Sequence, residues 1–320
     1  ETAEPAGSQT IAKRFGLGVS SATIRSTMSD LEEKGFLFHP HTSAGRIPTD
    51  SAYRLYVDQL MRVVPVQPKL RSTLEAELPA RIAVDELLRR AAQVLGVLTQ
   101  ELGVAAAPAL ERAVLERMEL VQVSSDRLLL VFNLKSGVVR TIFVQAQATV
   151  APDVVEQVTR ILNERLAGLT LREIRQTLPA RLRDAADGAP GRDLLNIFIQ
   201  EGDEIFSLEP APDTVVIGSA QMLAEQPEFA SNERMRELLH LTERRDLLKQ
   251  ALTARGHGLT ITIGGEHDDQ SLAGFTLVTS AYRVGDLQGV IGVLGPTRMP
   301  YDKIIGLVQH TSRLVEGLLQ

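Results

Sequence analysis

The sequence predicts a protein of several domains in the α+β class, in which helices and strands occupy separate stretches of the chain. Apolar residues recur at helical spacing near the N-terminus, at Ile24, Met28 and Leu31. Residues 119–150 then change to short runs rich in leucine and valine, which is typical of strands. The length of 320 residues allows about two or three such domains.

Composition narrows the class of protein. No apolar run approaches the ~20 residues that cross a bilayer, and no signal peptide is visible. Because the chain has no cysteine, it offers no disulfide, thiol nucleophile or cysteine metal cluster. The formal net charge is −6, but residues 1–70 carry 8 Lys/Arg and 7 Asp/Glu and are the less acidic part. These features favour a cytoplasmic location and leave nucleic-acid binding open.

Two helices joined by a tight turn are predicted near the N-terminus. Residues 8–15 read as a short helix capped by Ser8, with Ile11, Ala12 and Phe15 facing inward. Residues 16–19 form the turn, and Ser20 is a good N-cap for the second helix. This is the helix-turn-helix pattern, although an αα-hairpin of an unrelated helical domain fits these residues equally well.

The outer face of the second helix is small and polar. It lies opposite the Ile24 stripe and carries Ala22, Arg25, Ser26 and Ser29. Arginine can bond guanine bidentately, serine can bond any base, and an alanine methyl suits thymine. We therefore predict that this face reads bases, with Arg25 as the best candidate for a direct contact.

A hairpin is predicted directly after this helix. Residues 36–38 and 46–48 read as short paired strands, and the turn between them has no acidic residue. Such a hairpin would be the wing of a winged helix, and its donors to phosphate would be His41, Thr42, Ser43 and Arg46. His39 and His41 alone do not make a metal site, because no third ligand is near them in the sequence.

Residues 20–60 resemble the DNA-binding signature of the heat-inducible transcription repressor family HrcA. The segments SSATIR, PHTSAGRIPT and YRLYVD occur in the family's order at residues 20–25, 40–49 and 53–58. Ala52 stands where the family commonly has glycine. The resemblance implies a winged helix-turn-helix domain over residues 1–64, whose first helix would lie mostly before Glu1. The predicted DNA-binding residues are Ser20, Ser21, Ala22, Thr23, Arg25, Ser26, Ser29, His41, Thr42, Ser43 and Arg46.

A connecting segment follows over residues 65–103. A helix is predicted over residues 51–62, capped by Thr49 or Asp50, and two prolines mark a linker after it. Residues 70–103 carry a long helical pattern with a possible break at Pro79. This segment either spaces two DNA-binding domains or packs on the next domain.

Two groups of strands suggest one α/β sandwich interrupted by an insertion. The first group is predicted at 119–123, 128–134 and 138–144, and the second at 259–263, 275–282 and 289–294. Helices are predicted at 152–166 and 301–319. The family resemblance implies a GAF-like domain formed by residues 104–167 and 230–320.

The predicted insertion spans residues 168–229. It contains a helix at 171–183, a very apolar helix near 194–206 and a strand at 214–217, and a charged helix follows at 233–255. The resemblance assigns this insertion to dimerisation. An apolar surface on several sides of the 194–206 helix agrees with that role, but burial inside one chain explains it as well.

The C-terminal part carries two further family motifs, GGEH at 264–267 and GPTRMPY at 295–301. The acidic turn after Gly264 invites a metal or phosphate hypothesis, but no phosphate-loop pattern is present. Arg298 could bind an anion at the N-terminus of the closing helix or, more commonly, tie that helix to a neighbouring domain through a carboxylate. No enzyme motif stands out, so we expect neither catalysis nor a cofactor.

The resemblance implies a dimeric repressor of heat-shock (chaperone) operons. It would bind an inverted-repeat operator in double-stranded DNA, lose that binding on heat stress, and depend on a chaperonin of the GroEL type. It would act in the bacterial cytoplasm, on the nucleoid. The alternative is an effector-responsive transcriptional regulator that senses a small molecule through the GAF-like domain.

Overall fold

The computed structural model describes residues 4–40, 45–79, 84–108, 110–146, 149–186, 191–206, 215–253, 258–285 and 287–319. By its contacts the chain divides into two compact units. The first unit is Glu1–Ala106, Val215–Tyr282 and Val290–Leu318. The second unit is Ala107–Thr214, Arg283–Gly289 and Leu319–Gln320.

Residues 4–60, which we call the head, open the first unit. Two helices and an antiparallel hairpin are followed by a third helix, as predicted from the sequence. The strands pair Leu37 with Pro48 and Phe38 with Ile47. The elements are α1 (Ser8–Phe15), α2 (Ser21–Glu33), β1 (Leu37–Phe38), β2 (Ile47–Pro48) and α3 (Asp50–Leu55), which continues as a π-helical turn (Tyr56–Leu60).

Two details of the head differ from the sequence prediction. Gly7, and not Ser8, is the N-cap of α1, and Ser8 is buried in the first turn. Phe15 is 59% exposed and does not face inward. The predicted cap of α3 is confirmed, because the Thr49 hydroxyl accepts a hydrogen bond from Ala52 N at 3.3 Å.

The connecting segment is two helices and an unpredicted strand. Helix α4 (Pro68–Glu77) and helix α5 (Val84–Thr99) lie on either side of Pro79, as expected. The helical pattern ends at Thr99, and β3 (Leu102–Ala106) is a fully buried strand. A Cβ on Gly103 would lie 1.8 Å from the Ala92 carbonyl oxygen, so the close approach of β3 to α5 requires glycine.

The described residues of the second unit form one antiparallel sheet and three α-helices. The sheet has the order β4-β5-β6, and its inner face carries Leu128, Leu130 and Phe132. Phe132 meets Phe206 edge-to-face at 5.4 Å between ring centroids. The elements are β4 (Leu115–Gln122), β5 (Arg127–Leu134), β6 (Val139–Gln145), α6 (Pro152–Leu166), α7 (Leu171–Ala186) and α8 (Arg192–Phe206).

The chain then returns to the first unit and completes a second sheet. Its strand order is β7-β3-β10-β9-β8, and β3 pairs antiparallel with both β7 and β10. The elements are β7 (Val215–Ile217), α9 (Gln221–Ala224), α10 (Asn232–Glu243), α11 (Arg245–Thr253), β8 (Leu259–Ile263), β9 (Phe275–Val284), β10 (Leu287–Pro296) and α12 (Tyr301–Leu318).

The predicted single sandwich is therefore wrong. Strands β4–β6 pair with one another and not with the five-stranded sheet among the described residues. The predicted insertion at 168–229 is also displaced, since the main segment of the second unit runs from Ala107 to Thr214. Strand β7, expected inside the insertion, is an edge strand of the larger sheet. The charged segment 233–255 is two helices, α10 and α11, and not one.

Most apolar side chains of α8 are buried inside the second unit. Side chains on several sides of α8, including Leu194, Leu195 and Phe198, belong to the core of this unit. Burial within one chain therefore accounts for its pattern. Within the described parts of the chain, no helix combines the length and the apolar character needed to span a bilayer.

Candidate nucleic-acid interface

Two glycines and one serine lie in the turn that precedes α2. Gly16 ends α1 with φ +54° and Gly18 has φ +71°, a region that glycine enters without strain. Ser20 has an extended backbone, and its hydroxyl accepts a hydrogen bond from Thr23 N at 3.1 Å. These residues set where the second helix begins and how it leaves the turn.

Helix α2 buries one face and exposes the other, as its spacing predicts. Ile24 and Met28 are 8% and 7% exposed and form the inner stripe. On the predicted DNA-facing side, Ser21 and Ser29 are half-buried. The exposed members of that side are Ser20, Ala22, Thr23, Arg25 and Ser26. The exposed side of α2 therefore carries hydroxyl and guanidinium donors next to a small alanine side chain.

Arg46 has protein partners that sequence reasoning did not foresee. Its Nε donates to Glu32 Oε2 at 2.9 Å, and its Nη2 donates to the Ser29 hydroxyl at 2.8 Å. Its side chain is 12% exposed. In this position Arg46 ties the hairpin to α2, and it also engages Ser29, which was predicted to face DNA.

Glu32 is the centre of this contact. His39 Nδ1 lies 2.6 Å from Glu32 Oε1, on the side opposite Arg46. Hydrogen bonds with His39 and then with Arg46 hold the pKa of Glu32 below its usual value. Sequence reasoning missed Glu32 and His39 as partners. The available signal was an acidic residue one helical turn after Ser29, on the side of α2 that the hairpin approaches.

His41, Thr42 and Ser43, all predicted phosphate contacts, lie outside the described residues. The base of the hairpin is extended by a third segment, because Ala6 and Arg46 exchange two backbone hydrogen bonds of 3.0 Å each. Among the described residues no cluster of three or more His, Asp or Glu side chains suits a metal ion.

The predicted carboxylate partner of Arg298 is present. Arg298 Nε donates to Glu228 Oε1 at 2.5 Å, and this bond raises the pKa of Arg298. Glu228 belongs to the PEF segment before α10. The arginine therefore holds two parts of the first unit together and is not an open anion site.

Comparison with known proteins identifies the family. A family profile described as "HrcA protein C terminal domain" matches residues 85–305. A heat-inducible transcription repressor HrcA of Chlorobium phaeobacteroides (strain BS1) is 38% identical over 323 residues, which cover 96% of this chain and 90% of the relative. One from Syntrophobacter fumaroxidans (strain DSM 10017 / MPOB) is 36% identical over 327 residues, with coverage of 100% and 92%.

A solved structure shares the fold. It is described as a hypothetical protein at 2.2 Å resolution, and the similarity covers 99% of this chain and 92% of that one with a TM-score of 0.58. At 22% sequence identity this comparison concerns the fold alone. The profile covers more than half of the chain and the relatives are more than one third identical over nearly all of it. The chain belongs to the HrcA family of heat-inducible transcription repressors.

Proposed function

We propose that this protein represses transcription of heat-shock (chaperone) operons by binding an inverted-repeat operator as a homodimer, and that heat releases it. The observation that carries the proposal is the exposed face of α2, which presents Arg25 among small side chains and backs onto a buried stripe. The relatives named above are described as heat-inducible transcription repressors. Such a protein acts on the nucleoid in the bacterial cytoplasm and needs neither enzyme chemistry nor a cofactor.

The head is our candidate for a winged helix-turn-helix domain. Helix α2 would lie in the major groove, where Arg25 and Ser26 contact base edges and Ala22 packs on a thymine methyl. Ser20, Ser21 and Thr23 sit at the N-terminus of α2, where the N–H groups of the first turn that Ser20 does not cap favour phosphate. The hairpin tip, with His41, Thr42 and Ser43, would follow the phosphate backbone.

Arg46 and Ser29 have a different part in this proposal. The bonds of Arg46 to the Ser29 hydroxyl and to the Glu32 carboxylate hold the hairpin at a set angle to α2. Because the charge of Arg46 is already compensated by Glu32, it contributes less to phosphate binding than a free arginine would. Arg46 is therefore proposed chiefly as a positioning residue.

The second unit is our candidate for the dimerisation domain. Helix α8 is buried inside the second unit. The exposed apolar surface that the described residues of this unit offer is the outer face of the β4–β6 sheet. Val121, Val139 and Phe143 are 47%, 57% and 57% exposed there. Arg127 lies 4.5 Å above the Phe143 ring. A second copy would cover this face, and the resulting two-fold axis would match an inverted repeat.

The remainder of the first unit is our candidate for the GAF-like domain. A cavity of about 330 Å³ with both polar and apolar walls lies beside β8, and Thr260, Thr262 and Gln250 are among its polar lining residues. This cavity favours the alternative, in which a polar effector binds the domain and changes operator affinity. Loss of operator binding on addition of a small polar metabolite, without heating, would support that alternative.

The test is operator binding before and after mild heating, with and without a GroEL-type chaperonin. We expect tight binding to an inverted repeat, loss of binding on heating as the folded dimer is depopulated, and faster recovery with chaperonin. Heating that leaves binding unchanged while the dimer dissociates would contradict the mechanism.

Arg25→Ala tests the reading surface itself. It should lose about 1–3 kcal/mol of discrimination between the operator and scrambled DNA, because a bidentate base contact is removed. Arg172→Ala, an exposed arginine of the second unit, is the charge-matched control and should bind as the unaltered chain does. Equal loss of affinity for both DNAs would make Arg25 a phosphate contact only.

A further inference from the structure

Two motifs that take no part in the DNA-facing surface meet within the first unit. Arg54 of α3 and Glu266, which follows β8, are 212 positions apart in the chain. Arg54 Nε donates to Glu266 Oε1 at 2.8 Å, and Arg54 Nη2 donates to Glu266 Oε2 at 2.5 Å. Two parallel bonds of this kind fix both distance and angle, which a single contact does not.

A second bond involves Asp50, which lies one helical turn before Arg54 in α3. The Gly265 N–H donates to Asp50 Oδ2 at 2.9 Å. The neighbouring Gly264 has φ +52°, and a Cβ there would fall 2.0 Å from Asp50 Oδ2. The turn can therefore receive Asp50 only because it contains glycine.

Arg54 and Glu266 each form a hydrogen bond with the backbone in addition to their bonds with each other. Arg54 Nη2 also donates to the Ile261 carbonyl at 2.7 Å, and Glu266 Oε2 also accepts from Ile263 N at 2.8 Å. The bond with Arg54, followed by the Ile263 N–H, holds the pKa of Glu266 below its usual value. We call Asp50, Arg54, Gly264, Gly265 and Glu266 the clasp.

An open apolar groove lies beside the clasp. A cavity of about 360 Å³ lies there, lined by Phe36 and Tyr56 of the head and by Met299 and Tyr301 of the rest of the unit. The rings of Tyr53 and Tyr301 are 6.1 Å apart and tilted by 47°. Since apolar contacts are non-directional, the polar bonds restrict the angle between α3 and β8 more than this groove does.

The clasp is also coupled to the reading helix. Thr49 caps α3, and its hydroxyl donates to the carbonyl of Gly35, just beyond the end of α2, at 2.8 Å. A rotation of α3 therefore carries α2 with it.

We propose that the clasp sets the direction of α2 relative to the rest of the first unit. The clasp would thereby set the half-site spacing that the dimer accepts. Arg54, Asp50 and Glu266 are positioning residues and not DNA contacts. The proposal rests on the proposed binding of an inverted repeat by a dimer. In such a dimer each reading helix must meet its half-site at a separation that the protein geometry dictates.

The test compares Arg54→Gln, Glu266→Gln and the double variant on operators whose half-sites are unchanged but whose spacers differ by 1 or 2 base pairs. We expect the preference for the best spacing to fall by about tenfold in each variant, while affinity for an isolated half-site stays within about twofold. The double variant should be no worse than either single variant, because both remove the same pair. Arg71→Gln is the control, since Arg71 forms an exposed pair with Glu75 on α4.

A second measurement needs no DNA. The chain has no cysteine, so spin labels can be placed at Glu33 on α2 and at the exposed Leu239 on α10, in labelled chains diluted with unlabelled ones. We expect one narrow distance in the unaltered background and a broad or shifted one in Arg54→Gln. An unchanged distance, or an unchanged spacing preference in folded variants, would overturn the clasp. Failure of the unaltered chain to bind any inverted repeat would remove the proposed function, and the label distances would still decide the clasp.

Discussion

The head and the second unit are both small combinations of helices with a short sheet, yet different forces hold them together. Among the described residues of the head, the buried apolar side chains are Ile24, Met28 and Val57. The second unit has a continuous core that extends from the inner face of its sheet to α7 and α8. The head depends instead on polar contacts, with Glu32 at its centre and the clasp at its border with the rest of the first unit.

This difference suits what each region is proposed to do. A reading head that is held by a few directed bonds can be given a set angle without a large core. A unit that pairs two chains needs a rigid base for its outer apolar face. The comparison therefore predicts that substitutions and changes of pH alter the stability of the two regions to different extents.

The largest expected effect is in the core of the second unit. Phe132→Ala should lower the free energy of unfolding of this unit by about 3–5 kcal/mol, because Phe132 is fully buried against Phe206. Met28→Ala in the head should cost about 2–3 kcal/mol, since its surroundings can relax more easily. Urea unfolding followed by hydrogen exchange, read separately for each region, measures both. Equal losses would break the comparison.

The next largest expected effect is on the pH dependence of stability, at a buried acid in the first unit. Glu101 is 3% exposed, and Gln226 Nε2 donates to its Oε2 at 3.1 Å. Burial raises the pKa of Glu101 to about 8. Between pH ~4.5 and pH 8 the folded protein holds a proton that the unfolded chain has lost, so stability falls as the pH rises through this window.

Glu101→Gln tests this directly, since glutamine keeps the acceptor and cannot ionise. At pH 8 the variant should be more stable than the unaltered chain by on the order of 3 kcal/mol, and at pH 5 the two should be nearly equal. Thermal unfolding at both pH values measures the difference. The same gain at both values would show that packing, and not ionisation, is responsible.

Arg46→Ala should have a smaller effect, confined to the head. Loss of its bonds to Glu32 and Ser29 should cost about 1–2 kcal/mol of head stability. Binding should weaken for every DNA sequence, with a change in salt slope of less than about one charge, because Glu32 already compensates the arginine. A full one-charge change would assign Arg46 to phosphate contact after all.

The smallest effect is a response of the head to acid. The pKa of Glu32 is lowered in the folded protein, so its contribution is present above pH ~4.5 and is lost as the pH falls below that value. Hydrogen exchange of α2 should therefore rise in acid before that of β5 does. Glu32→Gln should remove this response, whereas Glu33→Gln, at an exposed neighbour, should retain it. Equal acid responses in both variants would exclude Glu32 as the cause.

Local patterns predicted the elements of the head well. The spacing of Ile24 and Met28 determines which face of α2 is buried, and the apolar pairs at 37–38 and 47–48 determine the hairpin, because both depend on neighbours in sequence. Most of the later strands were also predicted near their observed bounds. Strand β3 was missed because its five residues, LGVAA, continue a helical apolar pattern and include glycine and alanine, which disfavour strands.

Pairing partners were not predictable in the same way. Apolar runs indicate that β4–β6 are strands, but not which sheet they join, and the guess of a single sandwich was wrong. The apolar sides of α8 could equally have faced a second chain or its own unit, because periodicity reports burial and not the identity of what covers it.

The sequence by itself determined the family, the elements of the head and the face of α2 that carries Arg25, since these depend on motifs and on periodicity along one segment. The tertiary structure alone decided that Arg46 binds Glu32 and Ser29, and that GGEH receives Asp50 and Arg54. It also decided that residues 107–214 form the main segment of a separate unit. These facts depend on side chains that are distant in the chain. Which of many possible partners such a side chain meets is settled only when the packing of the whole unit brings two of them together.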